Sequence, residues 1–299
     1  MSEDTHLPAA RIAQKLRDAG IRCEIVELVP TDKAVLAHDR FVSLLLLTLL
    51  TVLAWGYLLW LWADMGMGGM DMTGFRMIPS GMGLMLPAHT QWLPMEFAWV
   101  FAMWTVMMVG MMTPSAVPMF LIYARIERQT DAQGRPLTAT VWFVVGYFLV
   151  WAAFSALATL MQWALERTAL LDPSMATTSK VVGGLLFVAA GTYQWTRLKE
   201  VCLTQCQKPF AFVMSHGGFR RDAPRSLMLG LRHGAYCVGC CWTLMALLFV
   251  GGVMNLLWVI VLALVIFVQK IIPFGVLLGR LVGIGLVAEG VWLFSMGMS

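Results

Sequence analysis

Cys237, Cys240 and Cys241 fall within five residues, in the run His233-Gly-Ala-Tyr-Cys237-Val-Gly-Cys240-Cys241-Trp242. On a helix His233, Cys237 and Cys241 stand at i, i+4 and i+8 along one face, with Cys240 on the adjacent flank. The run lies inside an apolar stretch, which puts Cys237 at a depth of roughly 15 Å if that stretch is a membrane helix. A single buried cysteine is a small hydrophobe and needs no further reading. Three of them with an imidazole one turn earlier, at membrane depth, point to metal or redox work, because ionisable groups there are functional by default. A metal that neutralises thiolate and imidazole is one way to hold them. Cys202 and Cys206 are four apart, so both sulfurs share one helical face just upstream.

Methionine supplies a second set of soft donors. The chain has 23, and 14 of them fall between Met65 and Met119. Met65, Met67, Met70 and Met72 lie in a glycine-rich segment that cannot build a core, and Met77, Met82 and Met85 continue it. Thioether sulfur suits Cu(I), binds zinc or magnesium poorly, and needs no deprotonation. Downstream, Met103, Met107 and Met111 are four apart, as are Met108 and Met112, forming two adjacent ridges along a helix. Such a ladder can pass a soft monovalent ion inward. The competing reading is ordinary packing, for which methionine is well suited. Pro114 and Pro118 interrupt the hydrogen-bond ladder of the same helix and free carbonyls that need other partners.

These donors must be positioned by membrane helices. Of 299 residues 59% are hydrophobic and 13% charged, against roughly 45–50% and 25% in a soluble domain. That excludes a disordered chain and disfavours a soluble enzyme. Runs near the 20 residues needed to cross a bilayer occur at about 41–62, 96–123, 137–165, 178–196, 226–250, 254–269 and 274–296. The expectation is therefore an all-α polytopic transmembrane helix bundle of about seven spans. Lys and Arg gather before the first run, between the second and third, and between the fourth and fifth, which by the positive-inside rule makes the N-terminus cytoplasmic. Residues 1–40 form a cytoplasmic cap. Residues 41–299 form the transmembrane domain, with a methionine-rich outer loop at 63–95 and a cytoplasmic cysteine-containing loop at 197–225. Lys270 and Arg280 read as side chains snorkelling to headgroups, and Glu289 as a buried ion-pair or proton site.

Four motifs in order, Met103-Trp104-Thr-Val-Met107-Met108-Val-Gly-Met111-Met112-Thr-Pro114, Cys202-Leu-Thr-Gln-Cys206-Gln-Lys-Pro209, Cys237-Val-Gly239-Cys240-Cys241-Trp242 and Met254-Asn255-Leu-Leu-Trp258, resemble the DUF2182 family. The resemblance runs over roughly 96–273. It implies a bacterial multi-span membrane protein that handles metal, without naming which. The family commonly carries Glu before the Lys that ends the sixth span, whereas here the pair is Gln269-Lys270.

The soft donors follow a sequence from outside inward: thioethers in the outer loop, thioethers in the second span, then thiols and imidazole in the fifth, and Cys202 with Cys206 at the cytoplasmic face. This order favours a Cu(I) protein of the bacterial inner membrane that captures copper and passes it across, or delivers it to a membrane cuproenzyme or copper chaperone. Zinc is the less favoured metal. Among these residues the expected metal ligands are Met65, Met67, Met70, Met72, Met103, Met107, Met108, Met111, Met112, Cys202, Cys206, His233, Cys237, Cys240 and Cys241. No nucleotide-binding motif accompanies them, no catalytic constellation stands out, and nothing suggests a nucleic-acid partner. The alternatives are a structural or assembly subunit of a larger membrane complex and a membrane thiol oxidoreductase.

Overall fold

The computed structural model describes residues 33–67, 75–77, 85–87, 92, 94–130, 137–167, 177, 179–219, 222–253 and 255–298. Residues 1–32 of the expected N-terminal cap, and Met70 and Met72, lie outside these residues, and 33–40 of that cap form the start of the first helix. The chain is an all-α bundle: α1 (Lys33–Met67), α2 (Pro94–Thr130), α3 (Thr138–Arg167), α4 (Lys180–Tyr193), α5 (Arg197–Gln207), α6 (Pro209–Ser215), α7 (Ala223–Ala246), α8 (Leu248–Gly251), α9 (Leu256–Ile271) and α10 (Gly275–Met298). A short antiparallel ribbon, β1 (Phe75–Met77) with β2 (Met85–Pro87), is inserted between α1 and α2, and its register sets Met77 opposite Met85.

Five helical segments are long and apolar enough to cross a membrane, namely those in α1, α2, α3, α7 with α8, and α10, and the protein is a multi-pass membrane protein. The fourth and sixth expected spans are helical where the hydropathy put them, but short. α4 has 14 residues and α9 has 16, or about 21 and 24 Å at 1.5 Å per residue, below the roughly 30 Å of a hydrocarbon core. Local signals end them. Thr196 caps the next helix by accepting from the Lys199 amide at 3.3 Å. Asn255 caps α9 by accepting from the Trp258 amide at 3.3 Å.

Two pairings set the frame. α3 lies against α7 through Gly146 and Gly230, where an added Cβ would strike the backbone of the opposite helix. α4 lies against α10 in the same way, an added Cβ at Gly184 falling 2.7 Å from the Gly290 carbonyl oxygen. Small residues at the crossing are how membrane helices gain packing when water no longer drives them together. The start of α3 is fixed by the buried Glu127 of α2, whose carboxylate accepts from the Ala139 amide at 2.9 Å and the Thr140 amide at 2.8 Å. A carboxylate is well placed at a helix N-terminus because the amides there have no helical acceptor.

α2 continues through both prolines. Pro114 cannot donate to the Gly110 carbonyl, and the indole of Trp55 on α1 takes that acceptor instead, at 3.3 Å. The freed carbonyl thus ties the outer helix to the core.

Candidate metal centre

α7 carries His233, Cys237, Cys240 and Cys241, all buried. The helix aims them inward because their face packs against α3 and α5 while Trp242, on the other side, is exposed. The Cys240 and Cys241 thiols both donate to the Cys237 carbonyl oxygen at 3.0 Å, as sulfhydryls do within a helix.

The segment 197–225, expected as a loop, is largely the helices α5 and α6. This moves Cys202 and Cys206 from a separate station at the membrane face to the wall of the α7 site. Cys206 stands beside Cys237 and Cys240 and interacts with both. Its interactions with those two side chains, reinforced by burial, push the Cys206 thiol well above the ordinary cysteine value. Cys202 is buried against Gly239, where a Cβ would fall 2.8 Å from its sulfur. Burial, with the charge of Cys240 nearby, pushes the Cys202 thiol up. Tyr193 holds the same turn of α7 by donating to the Gly239 carbonyl at 2.5 Å.

Two residues that the sequence did not nominate complete the centre. Tyr147 of α3 places its hydroxyl 3.2 Å from the Cys237 sulfur. Lys270 of α9 is buried rather than snorkelling, with its Nζ 2.9 Å from the Cys237 sulfur, 3.6 Å from the Met112 sulfur and 3.4 Å from the Ser115 hydroxyl. A lysine near a helix end reads as a headgroup contact, whereas this one turns into the bundle. Beside it Gln269 accepts from the buried Lys199 ammonium at 2.7 Å, and Gln194 accepts from the same ammonium. Burial lowers the Lys199 pKa to about 8.

Met103, Met107, Met108, Met111, Met112 and Met119 are all buried, so the α2 ridges face the core rather than lipid. Burial is also what packing methionines show. Met112 alone has a sulfur joined to the cysteine centre, through Lys270. Met65 and Met67 lie in the last turn of α1, not in a loop. Glu289, expected to be buried, is on the exposed flank of α10, and Arg280 reaches Glu200 at 3.5 Å in an exposed pair.

The His233 ring contacts Phe143, Tyr147 and Phe212, at centroid distances of 5.9, 5.8 and 5.1 Å. Its Nδ1 is buried and has no hydrogen-bond partner. A buried polar nitrogen without a partner costs about 1–3 kcal/mol, and that cost is removed when a cation binds. Among the described residues no three His, Cys, Asp or Glu are arranged as a ready metal cage. What the centre offers is sulfur pairs. Zinc prefers four tetrahedral ligands. A cuprous ion is content with two soft sulfurs, so the donors present suit it better.

A multi-pass helical bundle with buried sulfur donors at its centre is a framework for a soft metal ion. The chain belongs to the PpoB2 family, described as a copper chaperone, whose model matches residues 101–293. The match takes in α7, α5, most of α2 and α9, and so every residue of the centre; its role is copper-related, as the resemblance to a metal-handling family led one to expect, under a different family name. No curated protein and no solved structure matches the chain.

Proposed function

We propose that the chain carries Cu(I) as cargo within the bacterial inner membrane, held between Cys206 of α5 and Cys237 or Cys240 of α7. The packing of α5 on the cysteine face of α7, with the Cys202 sulfur against Gly239 and Cys206 beside Cys237 and Cys240, carries this reading, because it joins two separate segments into one soft-donor site. Cys241, Cys202 and His233 take the ion in turn. The thioethers Met103, Met107, Met108, Met111 and Met112 lead along α2 to Lys270 and Cys237. Met65, Met67, Met70 and Met72 gather copper at the outer end. With the N-terminus in the cytoplasm, the ion moves from outside inward and on to a membrane cuproenzyme or a second copper carrier. Membership in a copper chaperone family supports copper over zinc.

Elemental analysis of detergent-purified protein after anaerobic Cu(I) loading tests this. About one copper per chain is expected, falling to less than half in a Cys206→Ser, Cys237→Ser double variant. Retention below about 0.2 copper per chain in the unaltered protein, or equal retention in the variant, would overturn the assignment, since soft sulfur donors should hold Cu(I). An assembly subunit, by contrast, would lose partners and not metal in that variant.

A further inference from the structure

A cavity of about 300 Å³ opens beside the N-terminal half of α7, lined in part by Tyr123, His216, Arg225, Met228 and Arg232. Its floor is the turn after α6, where Gly217 and Gly218 take φ of 98° and 73°. That left-handed backbone suits glycine, and it folds the chain back so that His216 lines the cavity. His216 Nδ1 lies 2.8 Å from the Phe212 carbonyl oxygen and 3.0 Å from the Ser215 hydroxyl. A carbonyl can only accept, so this bond assigns the proton to Nδ1 and leaves the Nε2 lone pair free. Imidazoles that bind metals are usually oriented in this way, by donation from the other ring nitrogen to a carbonyl.

The cavity connects to the centre through one ring. Phe212 packs tilted against His216 at 4.4 Å and meets His233 edge-on at 5.1 Å between centroids, so a single phenyl separates the half-buried imidazole from the buried one. Two guanidinium groups stand at the cavity, Arg225 and Arg232, both exposed. Asp222 lies 3.6 Å from Arg225 in a surface pair, which offsets little of their charge. A bare cation is repelled by such a rim. An anionic complex is attracted, and Cu(I) held by two thiolates carries one negative charge.

We propose that this cavity is a second copper station, at which His216 Nε2 exchanges Cu(I) with an anionic carrier drawn in by Arg225 and Arg232. The chemistry is ligand exchange without change of oxidation state: the bond from copper to one carrier donor breaks as the bond to Nε2 forms, the bond to the second breaks as the Met228 thioether of the same lining takes its place, and the carrier leaves one unit more negative for the cation it gives up. The carrier is a thiolate- or carboxylate-bearing molecule. The step onward to His233 rests on the copper site proposed above; the station itself does not.

Two measurements on the full chain in detergent test it. In the first, copper-loaded protein is stripped by bathocuproine disulfonate, which is anionic, or by uncharged bathocuproine. His216→Ala and His216→Asn should each slow release by about 10–100-fold to both chelators, the usual cost of disturbing a metal ligand. Asn retains a donor toward the Phe212 carbonyl but lacks Nε2, so wild-type rates in that variant would reduce His216 to a structural role and overturn the proposal. Arg225→Ala with Arg232→Ala should slow release to the anionic chelator alone; equal slowing to both would overturn the charge assignment. In the second, diethylpyrocarbonate modification of His216 is followed by mass spectrometry with and without Cu(I), in the unaltered protein and in Cys237→Ser, Cys240→Ser. Protection in both is expected. No protection in either removes the station whatever the cysteines bind, whereas protection of His216 in a protein whose cysteines take no copper leaves the station standing and removes the cysteine site.

Discussion

Cys237 is the residue on which the centre turns, because four helices reach it: Tyr147 from α3, Cys206 from α5, Lys270 from α9 and its own neighbours on α7. The ammonium of Lys270 gives the site a fixed positive charge. Two thiolates with Cu(I) carry one negative charge and are matched by it; two thiolates with a divalent ion are neutral and leave the ammonium uncompensated. Lys270→Met should therefore reduce the preference for Cu(I) over zinc by about tenfold, read by competition between the two metals, and Lys270→Arg should retain it. Next to it, Lys199 has its charge held by amide oxygens alone, with a pKa of about 8 against an ordinary 10.5. The folded state binds fewer protons than the unfolded one between those values, so stability rises with pH across that window. Thermal melts should show wild type gaining on Lys199→Met from about pH 8 to 10.5, with the difference level below pH 8. Gln269→Glu supplies the missing carboxylate, and should raise the melting midpoint at neutral pH and flatten the rise.

At the level of elements, the close crossing of α3 and α7 holds Tyr147 on Cys237. Gly230→Leu would press a side chain into the Phe143 backbone, costing about 1–3 kcal/mol as overpacking does. The separation of the helices should also move Cys237 away from Tyr147, seen as faster alkylation of Cys237 in the folded protein. Hydropathy alone placed most of this frame. The apolar runs at 137–165, 178–196 and 274–296 nearly coincide with α3, α4 and α10, because a membrane helix must satisfy its own backbone and so records its position as apolar sequence. Hydropathy does not record where caps end a helix, so the apolar runs over α4 and α9 read as candidate spans although both helices are short. The centre was half legible. Spacing placed His233, Cys237 and Cys241 on one buried face of α7, a local property of the helix. Cys206, Tyr147 and Lys270 join it through contacts between distant segments, and no single-helix periodicity encodes those.

For the molecule as a whole, the cysteine centre is enclosed while the outer flanks of α1 and α10 carry exposed apolar side chains such as Leu53, Leu59, Leu277 and Trp292. Glu289 is a charged residue on that flank, as is Arg280 nearer its start. A carboxylate exposed along a membrane-spanning helix costs about 2.5–3.5 kcal/mol near mid-bilayer and less toward the headgroups. Glu289→Leu should accordingly raise the melting midpoint in lipid nanodiscs, with copper content unchanged; an unchanged midpoint would show that the side chain escapes the hydrocarbon. The interior has a different economy. Lys270 stands between the Met112 sulfur and the Cys237 sulfur, a cation already seated where the thioether row meets the thiols. In the vocabulary of separations the bundle is an exchanger supplied with its own tethered counter-ion. On the copper reading proposed above, the ammonium stays seated beside the filled site and balances its charge, so the column is neither stripped when empty nor left with an unmatched charge when loaded.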